Sequence, residues 1–144
     1  MENMSFTVQE AIDFSKDGRI EEWIHLFLNS IGDNVPFSDG LKLMKRYWTG
    51  PILINLEKLS RCCGPEPYMK FVHSYEEWEP HITRFQQIIR GGWDMPPLII
   101  EHVGNTLVVN DGNHRLEAMK REGFEKCWVV IWNTDYQDNV YDFK

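Results

Sequence analysis

Five consecutive residues carry the side chains best suited to chemistry: Asp111, Gly112, Asn113, His114 and Arg115. They follow an apolar run that closes on Val108-Val109-Asn110, and they precede the helix-like stretch Leu116-Glu117-Ala118. A strand, a tight turn and a helix start are the elements this order predicts. A helix start offers backbone N–H groups without intrahelical partners and a partial positive charge, so it suits an anion. Gly112 lets a backbone approach that anion closely. His114 and Arg115 add charge-assisted donors, and Asn113 adds an amide. The chemistry to expect is phosphate binding. The same residues also read as a plain N-cap at Asp111 or Asn113 after a common Asp-Gly turn, and the residues alone leave both readings open.

Other elements must position this turn. Leu98 to Val103 and Thr106 to Asn110 read as two strands around a Gly104-Asn105 hairpin turn. A helix over 113–122 should stop at Gly123, and Cys127 to Trp132 reads as a buried strand. Ser74 caps a helix from Tyr75 to about Ile89, with Glu77 as its capping-box partner and Pro80 as a reason for a later start. Asp94, in the extended linker before Pro96-Pro97, is an accessory candidate that faces the pocket or bonds its local backbone.

The N-terminal part reads as helical. Thr7 caps one helix with Glu10 at the capping-box position, and Asp17-Gly18 ends it. Ile20, Trp23, Ile24, Phe27 and Leu28 form a helical stripe that is core or a docking face. A third helix is expected from Ser38 or Asp39 through Tyr47-Trp48, with Lys42, Lys45 and Arg46 on one face. Gly50-Pro51 marks a boundary, and Ile52 to Leu56 is the next strand. The division is 1–50, a helical extension, and 51–144, the core.

A net charge of −7 argues against broad non-specific nucleic-acid binding. No run approaches the roughly 18 apolar residues of a membrane span. The N-terminus lacks the basic and apolar regions of a signal peptide, so a cytoplasmic location is expected. Cys62, Cys63 and Cys127 have no metal-ligand spacing and are expected reduced, with a redox role for Cys62 or Cys63 left open.

Gly112-Asn113-His114-Arg115-x-x-Ala118 resembles the signature of the ParB/sulfiredoxin superfamily. Pro96-Pro97-Leu98-Ile99-Ile100 before the hairpin and Gly123 before the last strand extend the resemblance over roughly residues 51 to 133. It implies an α+β fold: a small mixed sheet with packed helices, to which the N-terminal helices are added. It also implies that the turn binds nucleotide phosphates or a phosphorylated intermediate. Asn113 stands where sulfiredoxins carry a nucleophilic cysteine, so sulfinic acid reduction does not carry over. Glu117 reverses the charge of the arginine in partition ParB proteins, which weighs against a CTP clamp. Asp111 matches the aspartate of ParB-like free-serine kinases, where it would orient a metal, a hydroxyl or Arg115. In those kinases a glutamate after the first strand serves as base, and Glu66 matches it by position.

Three readings follow. The first is an enzyme of kinase or NTP-hydrolase type. Gly112, Asn113, His114 and Arg115 would hold the phosphate, while Asp111, His114 and Glu66 would be catalytic and Asp94 accessory. Its cofactor would be a nucleotide (ATP, ADP or CTP) with a magnesium ion, and its acceptor a small molecule or a protein. The second is a DNA-associated regulator or nuclease-like protein. It is disfavoured because the chain ends soon after the core, without room for a helix-turn-helix domain. The third is a non-catalytic interaction module using exposed aromatics such as Trp23, Trp48 or Trp93.

Overall fold

Gly104 and Asn105 reverse the chain between strands β5 (Leu98–Val103) and β6 (Thr106–Asp111), and Gly104 takes the left-handed φ of +58° that this turn requires. In the computed structural model, which describes residues 4–134, this hairpin lies inside a five-stranded mixed sheet. β7 (Lys126–Asn133) pairs parallel with β5, and β1 (Tyr47–Asn55) pairs antiparallel with β7. β2 (Leu59–Arg61) pairs parallel with β6 and closes the other edge, giving the order β1-β7-β5-β6-β2. A short 3₁₀ turn (Leu56–Lys58) links β1 to β2. β3 (Cys63–Gly64) and β4 (Phe71–Val72) form a separate two-stranded ribbon. Helices and a mixed sheet together make the chain α+β, as expected.

Both faces of the sheet are covered. Leu98, Ile100, Val129 and Ile131 pack with Leu116 and Met119 of helix α5 (Asn113–Arg121). Ile99, Val130 and Trp132 point the other way, against Trp23, Ile24 and Phe27. Strand side chains alternate faces, so two covered faces account for a near-continuous apolar run in β7. Each fully buried side chain of this kind contributes about 1.5–3 kcal/mol. Helix α4 (Tyr75–Arg90) lies on α5 through Trp78, Ile82 and Ala118. Arg121 donates to both oxygens of Glu79, and Arg90 to both of Glu122, fixing one helix along the other. Ser74 accepts from the Glu77 N–H at 3.2 Å, and α4 starts at Tyr75 despite Pro80. At the sixth helical position, Pro80 costs one hydrogen bond, to the Glu76 carbonyl, and leaves the start intact.

The covering layer is built by α1 (Val8–Lys16), α2 (Ile20–Leu28) and α3 (Val35–Leu41). Thr7 accepts from the Glu10 N–H at 3.2 Å. The Glu10 carboxylate accepts from the backbone of Ser5 (2.9 Å) and Phe6 (3.0 Å) and from the Trp23 indole (2.8 Å). One carboxylate thus fastens the N-terminal segment to α2. Glu10→Ala is expected to cost about 2 kcal/mol, since three donors lose their acceptor. A loss below about 0.5 kcal/mol in urea titration would mean that water replaces it.

Two expectations are corrected here. α3 begins at the Asn34 cap and ends at Leu41, and Tyr47-Trp48-Thr49 belongs to β1, paired with Asn133, Trp132 and Ile131. Lys42, Lys45 and Arg46 therefore share no helix face. Arg46 donates to the carbonyls of Leu41 and Gly40 at the end of α3 and stacks on Trp132. Trp23 is fully buried, so it is core and presents no docking surface. β1 runs through Gly50-Pro51, with a register shift between Thr49 and Ile52. No helix among the described residues is long and apolar enough to cross a membrane.

Candidate phosphate site at the start of α5

β6 delivers Asp111 to the edge of the sheet, and Gly112 turns the chain with φ +108° into α5. A side chain at Gly112 would overlap Leu98 Cδ2 and come within 3.0 Å of Arg115 Nη2. Glycine is thus required by the backbone angle and by the packing beneath the turn. Gly112 is itself the N-cap, and it brings no side chain to the first-turn N–H groups of α5. Those groups remain available to a ligand.

The next three side chains leave the helix in different directions, because each residue advances about 100°. Asn113 and Arg115 turn inward, each 5 % exposed. Arg115 donates to the Pro96 carbonyl at 2.6 Å and pairs with Asp111 at 3.2 Å. Burial draws the Arg115 guanidinium down and pushes the Asp111 carboxyl up, and each opposes the shift of the other. The Asn113 amide accepts from the Cys62 N–H at 2.9 Å and donates to the Val109 carbonyl at 3.0 Å. Asp111, Asn113 and Arg115 therefore hold the turn in shape by their side chains.

His114 points to the outer side. Its ring lies 4.6 Å from Trp78 and 5.0 Å from His81, centre to centre, with His73 at 6.1 Å. Burial, with the neighbouring His81 and His73, lowers its pKa to about 4, so the imidazole is neutral near pH 7.

A cavity of about 490 Å³ opens on this turn. Asp111, Gly112, His114 and Arg115 line one wall. Arg84, Phe85 and Ile88 of α4, with Trp93, form another, and Phe6 and Phe27 close the N-terminal side. The Phe85 and Trp93 rings stack with centres 5.9 Å apart and an 18° interplanar angle. Arg84 is exposed and has no ion-pair partner among the described residues.

Glu66 and Asp94 are not brought into this cavity. Glu66 pairs with Arg61 at 3.0 Å, and Arg61 also reaches Glu117 and lies over Trp78. Asp94 is exposed and lines a second cavity of about 320 Å³ with Lys126 and Trp128. Among the described residues, no three His, Cys, Asp or Glu side chains are grouped to hold a metal ion. Asp111 is paired with Arg115, so these residues do not fit a resident magnesium ion.

Arg84, Phe85 and Trp93 were not legible as cavity residues. In the sequence Phe85 belongs to the apolar stripe of α4, and only the fold shows that its neighbour Arg84 reaches the same space. The histidines at 73, 81 and 114 are far apart in sequence and converge only when α4 lies on α5.

No protein-family model and no curated protein sequence matches the chain. Among solved structures it is similar to a sulfiredoxin from Arabidopsis thaliana, at 22 % identity over 56 % of this chain and 81 % of that one, with a TM-score of 0.43. It is also similar to the pNOB8-like ParB N-domain, at 20 % identity over 67 % of this chain and 31 % of that one, with a TM-score of 0.42. A free serine kinase in complex with AMP is a third, at 20 % identity over 56 % of this chain and 30 % of that one, with a TM-score of 0.41. The chain thus spans less than a third of the matched ParB and kinase chains.

Proposed function

We propose that this protein binds a nucleotide at the start of α5 and transfers or hydrolyses its terminal phosphate. The observation that carries the reading is the cavity of about 490 Å³ in which a helix start, a cation without an ion-pair partner among the described residues and a stacked aromatic pair meet. Small-molecule sites typically measure about 300–1,000 Å³. In this reading the first-turn N–H groups of α5 and the Arg84 guanidinium hold the phosphates. The base lies against Phe85 and Trp93. Gly112 and the inward side chains of Asp111, Asn113 and Arg115 keep the turn in place. Phosphoryl transfer needs positioning and charge neutralisation more than covalent help. His114 is neutral and lines the cavity, where its ring accepts a hydrogen bond from the attacking hydroxyl or water and orients it. The phosphate acceptor is a small molecule or a protein side chain. DNA is disfavoured by the charge of −7 and by the use of Arg46 inside the fold.

Thermal stabilisation by ATP, ADP, CTP and GTP, each with and without magnesium, tests this. A nucleotide at about 100 times its dissociation constant should stabilise the fold by about 2.7 kcal/mol. Arg84→Ala should abolish that stabilisation and leave the unliganded melting point nearly unchanged, because Arg84 is exposed. No stabilisation by any of the four would overturn the reading.

A further inference from the structure

We propose that the second cavity, between the start of β7 and the linker ahead of β5, binds a small zwitterion with an apolar body: an α-amino acid with a large aliphatic or aromatic side chain. The inference is independent of nucleotide binding.

The cavity follows from unequal strand starts. β7 begins at Lys126, whereas the pairing of β5 with it begins only where Leu98 stands opposite Val129. Lys126, Cys127 and Trp128 are paired with β1 on one side and have no β5 partner on the other. The sheet is notched there, and side chains from both of its faces line the notch. Successive strand residues alternate faces. Lys126 and Trp128 share one face, with Leu53 of β1 opposite Trp128. Cys127 belongs to the other face and packs with Leu98 and Met119. The linker from Trp93 to Pro96 forms the remaining wall. Its end is held in place, because the Pro96 carbonyl accepts from Arg115 at 2.6 Å.

The lining is chemically divided. Leu98, Met119 and Cys127 are buried and make an apolar floor. Leu53, Phe124 and Trp128 continue it outward and are exposed. Large apolar side chains gathered around one concavity, with a few polar groups among them, mark a ligand site. Two charged side chains line the cavity, and they are of opposite sign: Asp94 and Lys126. Neither has an ion-pair partner among the described residues, and they do not pair with each other. A carboxylate and an ammonium left free at one cavity match the ammonium and the carboxylate of one ligand. The apolar floor then takes the ligand's side chain. The volume of about 320 Å³ lies at the low end of the roughly 300–1,000 Å³ usual for small-molecule sites. It suits an amino acid better than a nucleotide, whose phosphates Asp94 would also repel. Charge pairs at an exposed rim are weak, so the apolar body supplies most of the affinity and the two charges select the class of ligand.

The test compares three ligands that carry the same ring on the intact chain at pH 7: L-phenylalanine, 3-phenylpropionate, which lacks the ammonium, and 2-phenylethylamine, which lacks the carboxylate. Thermal stabilisation over a concentration series gives each dissociation constant. L-phenylalanine should bind about three- to five-fold more tightly than either analogue, and L-serine, without an apolar body, should not stabilise the chain. Asp94 and Lys126 are exposed, so Asp94→Asn and Lys126→Gln should leave the unliganded melting point nearly unchanged. Asp94→Asn should weaken L-phenylalanine about three-fold without weakening 3-phenylpropionate. Lys126→Gln should weaken L-phenylalanine as much without weakening 2-phenylethylamine. No stabilisation by L-phenylalanine or L-leucine would overturn the proposal. So would analogues that bind as tightly as L-phenylalanine, or variants that bind it unchanged.

Discussion

Arg115→Ala is expected to destabilise the fold by about 3–5 kcal/mol, among the largest losses available from one side chain outside the apolar core. The guanidinium is buried, and it joins Pro96 ahead of β5 to Asp111 at the end of β6. Removing it leaves a carbonyl without its donor and a carboxylate without its cation. The loss should shrink in acid. Burial raises the Asp111 pKa in the folded state above its unfolded value. Without Arg115, whose charge opposes that rise, Asp111 is raised further, so lowering the pH favours folding of the variant more than of the parent. Urea titrations at neutral and acidic pH would show this as a narrowing gap between variant and parent. Asp111→Asn combined with Arg115→Met should recover part of the stability, since a neutral pair of similar volume leaves no buried charge without its partner. A double variant as unstable as Arg115→Ala would show that the Pro96 contact dominates. For the same reason, nucleotide binding is better tested at Arg84, whose removal leaves the turn standing.

Gly112→Ala should lose about 3 kcal/mol, from an alanine at positive φ and from overlap with Leu98. Leu98→Ala alone should cost about 2–5 kcal/mol, because Leu98 is 1 % exposed. The double variant should be more stable than the sum of the single losses predicts, as the methyl then enters the vacated space. Strict additivity would show that backbone strain alone limits this position. A folded Gly112→Ala protein that still binds nucleotide would separate the shape of the turn from its contact with the ligand.

Much of the frame was readable in advance. Thr7 and Ser74 cap the helices expected of them, and Gly104-Asn105 turns the expected hairpin. α5 ends before Gly123, which has φ +82°. These signals act over three or four residues, so a local reading finds them. The stretch from Lys42 to Thr49 shows where such a reading stops. The helix expected from Ser38 or Asp39 through Tyr47-Trp48 stops at Leu41, and Tyr47, Trp48 and Thr49 find partners in β7 near the other end of the described chain. Cross-strand pairing and burial against Trp132 outweigh a modest local preference.

The candidate site divides the same way. The residues Asp111 to Arg115 announced by their types and order that a turn and a helix start would meet there. Tertiary structure decided what each side chain does. Asn113, His114 and Arg115 diverge around α5, so what lies on each side assigns their roles. Pro96 and Asp111 capture Arg115, Cys62 captures Asn113, and Trp78 and His81 leave His114 as a neutral wall of the cavity. Arg84, Phe85 and Trp93 complete that wall from elements remote in sequence. A strand, a turn and a helix start on an α+β frame were readable in advance, because caps, turns and alternation are short-range. The direction of its side chains follows only from the packing of β2, α4 and the N-terminal helices around that turn.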